Sequence, residues 1–279
     1  MRVLFISFYN DEAYGLRILH SIAHHKGYEA NILFLKLNSP RTPLTEIERK
    51  LFFNVLDDLK PDLLAFSLVS PNFKLYQSFY EEIRKRNKHK ILIGGWQASL
   101  NPEATIKYCD YLCIGEGEEA IPELFSKIKN GAMSIDVKNI WFKCLDKVIK
   151  QPVRPLTQDL SIYPIPIIDN KLSLYIENNK INHSDPYTKN TRYGTSVGRG
   201  CPFACTYCSN SYMATHIYPK QWSKIRYRTI DHVIEELKQA KAKIPNLKSI
   251  NFYDEIFLPK KEWSDELFKR YKEEIDIPF

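Results

Sequence analysis

The stretch Gly198-Arg199-Gly200-Cys201-Pro202-Phe203-Ala204-Cys205-Thr206-Tyr207-Cys208 decides how the second half of the chain is read. Its three cysteines are spaced C-x3-C-x2-C, and no cysteine follows Cys208. Thiolates hold iron–sulfur clusters, and close spacing lets one loop wrap a cluster. A cubane needs about four iron ligands, so three cysteines leave one iron open to a substrate. The competing chemistry is zinc, where a fourth His or Cys is usual and His216 could complete a Cys3His set.

Working outward, Thr191–Val197 is strand-like and leads into the cysteine loop. Downstream, Thr229 is placed to cap a helix over Ile230–Lys241. Lys248–Tyr253 reads as a strand that ends in Asp254-Glu255, and Trp263–Glu273 as a helix. The chain stops at Ile275–Phe279, where another strand would start.

Upstream, the first 130 residues alternate strand and helix. Val3–Phe8, Ala30–Leu35, Asp62–Leu68, Lys90–Ile93 and Tyr111–Ile114 are strand-like. Leu16–His25, Thr45–Leu59, Phe73–Lys85 and Glu119–Lys129 have helical spacing, with Ile47, Leu51, Val55 and Leu59 expected on the apolar face of the second. Such alternation predicts a parallel sheet covered by helices, with strands apolar on both faces. Ligands of such sheets bind beyond the carboxyl ends of the strands. The loops there are Tyr9–Gly15, Val69–Asn72, Gly94–Gln97 and Gly115–Glu118. In 131–186, Val137–Lys143 and Lys147–Gln151 read as a hairpin. Pro152, Pro155, Pro164 and Pro166 then rule out a long regular element, which makes the rest an extended connector.

Composition bounds the reading further. Of 279 residues, 44% are hydrophobic and 26% charged, ordinary for a folded protein and unlike a disordered one. The net charge of +7 is that of a lysine-rich surface and does not call for a nucleic-acid partner. No apolar run approaches the ~18–20 residues that span a bilayer. No signal peptide is recognisable at the N-terminus, so a cytoplasmic location is expected. In that compartment six cysteines point to metal, catalysis or burial rather than to disulfides.

With these segments in place, the sequence resembles the cobalamin-dependent branch of the radical S-adenosylmethionine (SAM) superfamily. The resemblance lies in Arg199-Gly200-Cys201-Pro202 with Cys205, Tyr207 and Cys208, in Arg226-Tyr227-Arg228-Thr229, and in Asn251-Phe252-Tyr253-Asp254-Glu255-Ile256-Phe257. It implies a 4Fe–4S cluster on Cys201, Cys205 and Cys208 whose open iron is chelated by SAM. One electron from the cluster then cleaves SAM to methionine and a 5′-deoxyadenosyl radical. Tyr207 would lie near the adenine. Asp254 and Glu255 would occupy the place where the SAM amino group is held, since a carboxylate accepts from an ammonium. Arg226 would contact SAM; by the residues alone, Arg226 or Arg228 either holds a carboxylate or lies on the surface.

The first half resembles the cobalamin-binding domain that precedes many radical SAM domains. The matching residues are Lys60-Pro61-Asp62-Leu63-Leu64-Ala65-Phe66-Ser67, Ile93-Gly94-Gly95-Trp96, and Asp110-Tyr111 through Gly115-Glu116-Gly117-Glu118-Glu119. By this likeness Ser67, Ser70 and Asn72 would hydrogen-bond the cofactor, with Gly94, Gly95, Gly115, Glu116 and Gly117 along it. One departure is that cobalamin domains with a histidine below the cobalt carry Asp-x-His-x-x-Gly. The nearest segment here, Asp11-Glu12-Ala13-Tyr14-Gly15-Leu16, has Ala13 at the histidine position.

The expected architecture is α/β. A doubly wound, Rossmann-like cobalamin domain (1–130) is followed by a hairpin and proline-rich connector (131–186) and then the first part of a radical SAM partial TIM barrel (187–279). A full barrel uses ~250 residues, so the barrel would be unfinished and the chain a truncated protein or gene fragment. The implied activity is reductive SAM cleavage with methylation or rearrangement of an unactivated carbon in a small molecule. An electron donor such as flavodoxin or ferredoxin would serve it. Two alternatives stand beside it. One is a methylthiotransferase whose second cluster would use Cys109, Cys113 and Cys144; the other is a corrinoid- or metal-binding fragment without turnover. By their place in the chain Cys109 and Cys113 flank or lie in a buried strand and Cys144 sits in the hairpin, all three as structural side chains, and His24-His25 form a solvated helix end.

Overall fold

The computed structural model describes residues 1–37, 42–86, 89–132, 134–145, 147–257 and 261–279. The chain divides into two units, Met1–Arg154 with Asn170–Ser184 and Pro155–Asp169 with Asp185–Phe279.

The first unit is built on one sheet. Its strands are β1 (Arg2–Phe8), β2 (Glu29–Leu35), β3 (Leu63–Ser67), β4 (Lys90–Gly94), β5 (Tyr111–Cys113), β6 (Ile140–Cys144), β7 (Lys147–Lys150), β8 (Ser173–Glu177) and β9 (Lys180–Asn182). Their order is β7-β6-β5-β4-β3-β1-β2-β8-β9. β2, β1, β3, β4 and β5 run parallel and make the doubly wound centre. Every residue of β1 after Arg2 is buried, as expected for a strand covered on both faces.

Helices α1 (Tyr14–His25), α2 (Glu46–Leu59), α3 (Ser70–Arg86), α4 (Trp96–Leu100), α5 (Pro102–Thr105) and α6 (Ala120–Lys129) connect the strands. A capping box starts α2, where the Thr45 hydroxyl accepts from the Glu48 amide while the Glu48 side chain accepts from the Thr45 amide. The buried face of α2 differs from the expected one. Ile47 is 53% exposed, and the core takes Phe52, Phe53, Val55 and Leu56. The two phenylalanines pack on Phe79 of α3, with ring centroids 4.9 and 6.0 Å away. Their larger apolar area turns the helix away from the aliphatic stripe. His24 and His25 end α1 exposed, as expected.

The expected connector divides. Residues 155–169 belong with the second unit, while 170–184 return to the first. There β8 pairs parallel with β2 from Ile32↔Ser173 to Leu35↔Ile176, and β9 pairs antiparallel with β8. An ion triad fixes this return. The Lys36 ammonium, 2% exposed, meets the Glu48 carboxylate at 3.0 Å and also the Glu177 carboxylate. A lysine so buried requires paired carboxylates, and they come from α2 and from the end of β8.

The second unit carries β10 (Arg192–Thr195), β11 (Gly198–Arg199), α7 (Ser209–Tyr212), a π-helical turn at Met213–Ile217, β12 (Arg226–Tyr227), α8 (Ile230–Lys243), β13 (Ser249–Phe252) and α9 (Lys261–Glu274). β10 and β13 pair parallel, the geometry of a strand–helix–strand unit. β11 and β12 form a short antiparallel ladder. Val233, Ile234 and Leu237 of α8 pack with Tyr193, Ile250, Leu267 and Tyr271. Residues 275–279 are not a strand, although the Pro278 carbonyl accepts from the Ile250 amide at 2.8 Å. Among the described residues no helix is long and apolar enough to cross a membrane.

Candidate active site: a cysteine loop and a sheet-end crevice

In the second unit the cysteine loop joins β11 to α7. Gly200 sits at φ +108°, and a Cβ there would lie 2.6 Å from the Trp222 carbonyl oxygen and 2.8 Å from that of Lys224. Only glycine fits this approach. The same Trp222 oxygen accepts from the Cys201 amide at 3.1 Å, which fixes where the first cysteine leaves the ladder. The loop then closes on itself. The Cys205 carbonyl accepts from the Cys208 amide at 3.1 Å and from the Ser211 hydroxyl at 2.7 Å.

Cys201 is buried, Cys208 half-buried and Cys205 exposed, and all three are free thiols. Among the described residues no group of three His, Cys, Asp or Glu side chains is gathered as a metal site. The donor set nevertheless fits a cluster: three thiols on a short self-closed loop, two of them open to solvent to admit iron and sulfide. His216, the candidate fourth zinc ligand, stacks on Tyr212 at 4.3 Å, and its Nδ1 lies 2.7 Å from the Thr215 hydroxyl. Tyr207 is 92% exposed, and Phe203 beside Pro202 is exposed as well.

The acidic pair after β13 splits in two. Asp254 accepts from the Val197 amide (3.0 Å), the Gly198 amide (2.6 Å) and the Ser196 hydroxyl (3.1 Å). It ties the end of β13 to the turn that enters the cysteine loop. Burial pushes its carboxyl up, against the pull of those donors. Glu255 instead accepts from the Asn210 side-chain amide at 3.1 Å, on the side of α7.

Arg226 and Arg228 are both buried, so neither is a surface residue. Arg226 donates to the Thr157 carbonyl at 2.9 Å, and its guanidinium lies 5.8 Å from the Trp222 ring. Arg228 does hold a carboxylate, that of Glu236 at 2.5 Å. Glu236 also accepts from the Tyr193 and Thr195 hydroxyls at 2.8 Å each. This network joins α8 to β10 beneath the loop. Tyr227 was readable only as part of a segment. Its hydroxyl is buried with no hydrogen-bond partner among the described residues, and burial with the Asp254 charge pushes it up to about 12. An orphaned phenol beside the loop suits a site completed by a ligand.

In the first unit the strand order reverses between β1 and β3, which makes the carboxyl ends of these strands the crevice of a doubly wound sheet. Ser67 ends β3, half-buried, and Ser70 and Asn72 lie in the first turn of α3 rather than in a loop. Ser70 is exposed, whereas Asn72 is buried and its amide donates to the Phe8 carbonyl at 2.7 Å. Asn72 thus ties α3 to β1. Gly95 has φ +87°, and a Cβ there would meet the Leu68 oxygen at 2.7 Å, so the loops after β3 and β4 touch through backbone. Gly94 is different, with only Cys113 Cβ at 3.9 Å. Gly115, at φ +74°, donates its amide to the Ser99 hydroxyl at 2.9 Å. Gly117 is buried and lies against Ile121.

Asn139 carries no motif signal, yet it shapes this last loop. Its side-chain amide donates to the Ile114 and Glu116 carbonyls at 2.7 and 3.3 Å. Ala13 is buried in the core of this unit, and buried Arg17 donates to the Asp11 and Glu12 carbonyls beside it. A backbone surface flanked by the half-buried Ser67 and the exposed Ser70 hydroxyls fits a large planar cofactor, and position 13, an alanine, offers a metal no ligand. Cys109 and Cys113 are buried; burial raises both thiols, that of Cys113 to about 12. They are structural small side chains, and Cys144 is exposed on β6. This does not favour a second cluster.

A family model described as B12 binding domain matches residues 1–125, and one described as Radical SAM superfamily matches residues 195–278. The uncharacterized methyltransferase PH0819 of Pyrococcus horikoshii is 30% identical over 196 residues, 67% of this chain and 38% of that protein. The bacteriochlorophyllide d C-8(2)-methyltransferase of Chlorobaculum tepidum is 26% identical over 164 residues, 57% of this chain and 29% of its own length. The radical SAM methyltransferase TsrM of Kitasatospora setae, solved with cobalamin and a [4Fe-4S] cluster bound, superimposes with TM-score 0.72 at 16% identity over 98% of this chain and 51% of its own. The cobalamin-dependent radical enzyme OxsB gives TM-score 0.65 at 16% identity over 95% of this chain and 35% of its own. At such identities these structures show the fold. The chain spans about half or less of the relatives it matches. A radical SAM domain implies a 4Fe–4S cluster and SAM, and a B12-binding domain implies cobalamin. With one domain of each kind in sequence, the chain belongs to the cobalamin-dependent, B12-binding branch of the radical SAM superfamily.

Proposed function

We propose that this chain takes part in methyl transfer to, or rearrangement of, an unactivated carbon of a small molecule. The observation that carries the reading is three free thiols on one short loop, Cys201, Cys205 and Cys208, with the Glu255 side chain joined to the same loop through Asn210. When bound, the cluster supplies one electron for SAM cleavage and cobalamin supplies a methyl carrier. The chain's own residues bind and orient. The three cysteines hold the cluster. Glu255, whose carboxylate accepts from the Asn210 amide through one oxygen, offers the other to the SAM ammonium, while Asp254 is committed to the Val197 and Gly198 amides. Tyr207 covers the adenine, and Arg226, held by the Thr157 carbonyl beside Trp222, contacts SAM. Ser67 and Ser70 hydrogen-bond the corrin amides. Gly94, Gly115 and Glu116 give the ring a flat backbone surface, Gly95 and Gly117, packed on Leu68 and Ile121, hold the loops that present it, and Asn72 keeps the first turn of α3 in place. Methyl transfer is supported by the names of two relatives. A one-electron donor of the flavodoxin or ferredoxin class would serve it in the reducing cytoplasm.

The test is anaerobic reconstitution with iron, sulfide and hydroxocobalamin, followed by metal analysis and an optical spectrum. About four irons and one cobalt per chain are expected, then 5′-deoxyadenosine on adding SAM and dithionite. About eight irons without cobalt, or zinc alone, would overturn the reading.

A further inference from the structure

Asn210, on α7, is buried, and its side chain joins the cysteine loop at Cys208 to Trp222 and Glu255. Its side-chain oxygen accepts from the Trp222 indole N–H at 2.9 Å. Its side-chain nitrogen donates to Glu255 Oε1 at 3.1 Å and to Cys208 Sγ at 3.8 Å. A primary amide has two N–H groups, enough to serve both acceptors. Trp222 is itself buried, and its carbonyl is the oxygen that holds the Cys201 amide. The indole orients the amide, and the amide reaches both a cluster thiol and the carboxylate proposed for SAM.

We infer that Asn210 is a positioning residue that ties the cluster ligand Cys208 to Glu255, so that one side chain sets both the charge balance at a cluster sulfur and the place of the Glu255 carboxylate that receives the SAM ammonium. This rests on the reading that Cys208 holds a 4Fe–4S cluster. An N–H donated to a cluster sulfur favours the reduced, more negative state, because donors outside the ligand shell tune a metal centre. A net hydrogen bond is worth roughly a fivefold factor in an equilibrium. Losing it should therefore move the one-electron reduction roughly fivefold against the reduced form, about 40 mV at 59 mV per tenfold.

The experiment is a redox titration, followed by electron paramagnetic resonance, of the reconstituted full chain and of Asn210→Asp and Asn210→Leu. Asn210→Asp keeps the volume and the acceptor for Trp222, replaces the N–H donors by an oxygen and adds a negative charge, so Asn210→Leu, which adds none, is read beside it. Asn210→Leu removes the acceptor too. Iron per chain and the unfolding midpoint of the cluster-free protein are measured beside it. Midpoints displaced to more negative potential in both variants, at wild-type unfolding midpoint, are the expected result. Loss of iron uptake in both, with the cluster-free fold intact, also supports positioning of Cys208. An unmoved potential in variants that load iron would overturn the inference and leave the function reading standing. Loss of the cluster-free fold in both variants would show a structural residue only and overturn it equally. A wild-type chain that takes up no iron would overturn the function reading itself, and the inference with it.

Discussion

Substituting Gly200 by alanine perturbs the cysteine loop without touching a thiol. Two costs can be worked out from the geometry. At φ +108° an alanine is held in a sparsely populated backbone region, about 1–3 kcal/mol. Its Cβ also falls 2.6 Å from the Trp222 oxygen and 2.8 Å from the Lys224 oxygen, both backbone atoms that cannot swing aside. Crowding of this kind costs about 1–3 kcal/mol. Relief of one contact shares the relief of the other, so roughly 2–4 kcal/mol is expected in total. The carbonyl that must retreat is the partner of the Cys201 amide, so the strain arrives at the first of the three proposed cluster ligands. The assay is urea unfolding of the cluster-free protein by tryptophan emission, with iron per chain after reconstitution. Cys201→Ala is the comparison, because it should lose iron with little loss of stability. Gly200→Ala should lose both. A Gly200→Ala protein that unfolds at the wild-type urea concentration and loads full iron would refute the reasoning.

Other expectations follow from the same structure. Cys205→Ala and Cys208→Ala should each abolish the cluster absorbance, whereas Cys113→Ala, which removes a buried thiol far above its usual range, should leave iron content unaltered; metal analysis reads both. Gly95→Ala should destabilise the first unit by about 2–4 kcal/mol in urea unfolding, through positive φ and the 2.7 Å approach to Leu68, whereas Gly94→Ala should unfold as wild type and report in cobalamin titration alone whether the ring lies on it. Burial pushes the Glu177 carboxyl up, but the Leu37 amide and the Lys36 ammonium outweigh it and hold the net value below the ordinary 4.5. The unfolded chain therefore takes up this proton first, so stability present above pH 4.5 is lost as pH falls through the lower folded value. Glu177→Gln should flatten that part of the acid-unfolding curve, and identical acid curves for the two proteins would contradict the assignment.

The alternation of apolar strands and amphipathic helices was legible because a doubly covered strand leaves no polar positions; β1 through β5 and α1 to α3 follow from it, whereas the short α4 and α5 between β4 and β5 carry too few turns to show a period. The face of α2 was not legible. Spacing favoured Ile47, but Phe52 and Phe53 carry more area, and Phe79, which lies elsewhere in the chain, decides what they meet. β8 was hidden by four prolines just before it and by the distance to its partner β2. At the site, thiol spacing announced Cys201, Cys205 and Cys208 directly. The division of labour between Asp254 and Glu255 was not readable, because it depends on which backbone amides the turn at Ser196–Gly198 presents. Asn139 and Asn210 gave no signal at all, since an asparagine's role is set by the groups folded around it.

The return of residues 170–184 to the first sheet also sets an order of events. β2 waits for β8, and Lys36 waits for Glu177 across 141 residues of chain. A nascent chain that has emerged only as far as Arg154 has its five central strands in hand but leaves one flank of β2 unpaired. It also holds a lysine with only half its counter-charge. An open parallel edge invites pairing with another molecule, and contacts this distant in sequence form late. The first unit is therefore complete only after the chain has already passed through residues of the second. Expression of residues 1–154 alone should give an aggregation-prone product, and extending the fragment to Ser184 should restore its solubility.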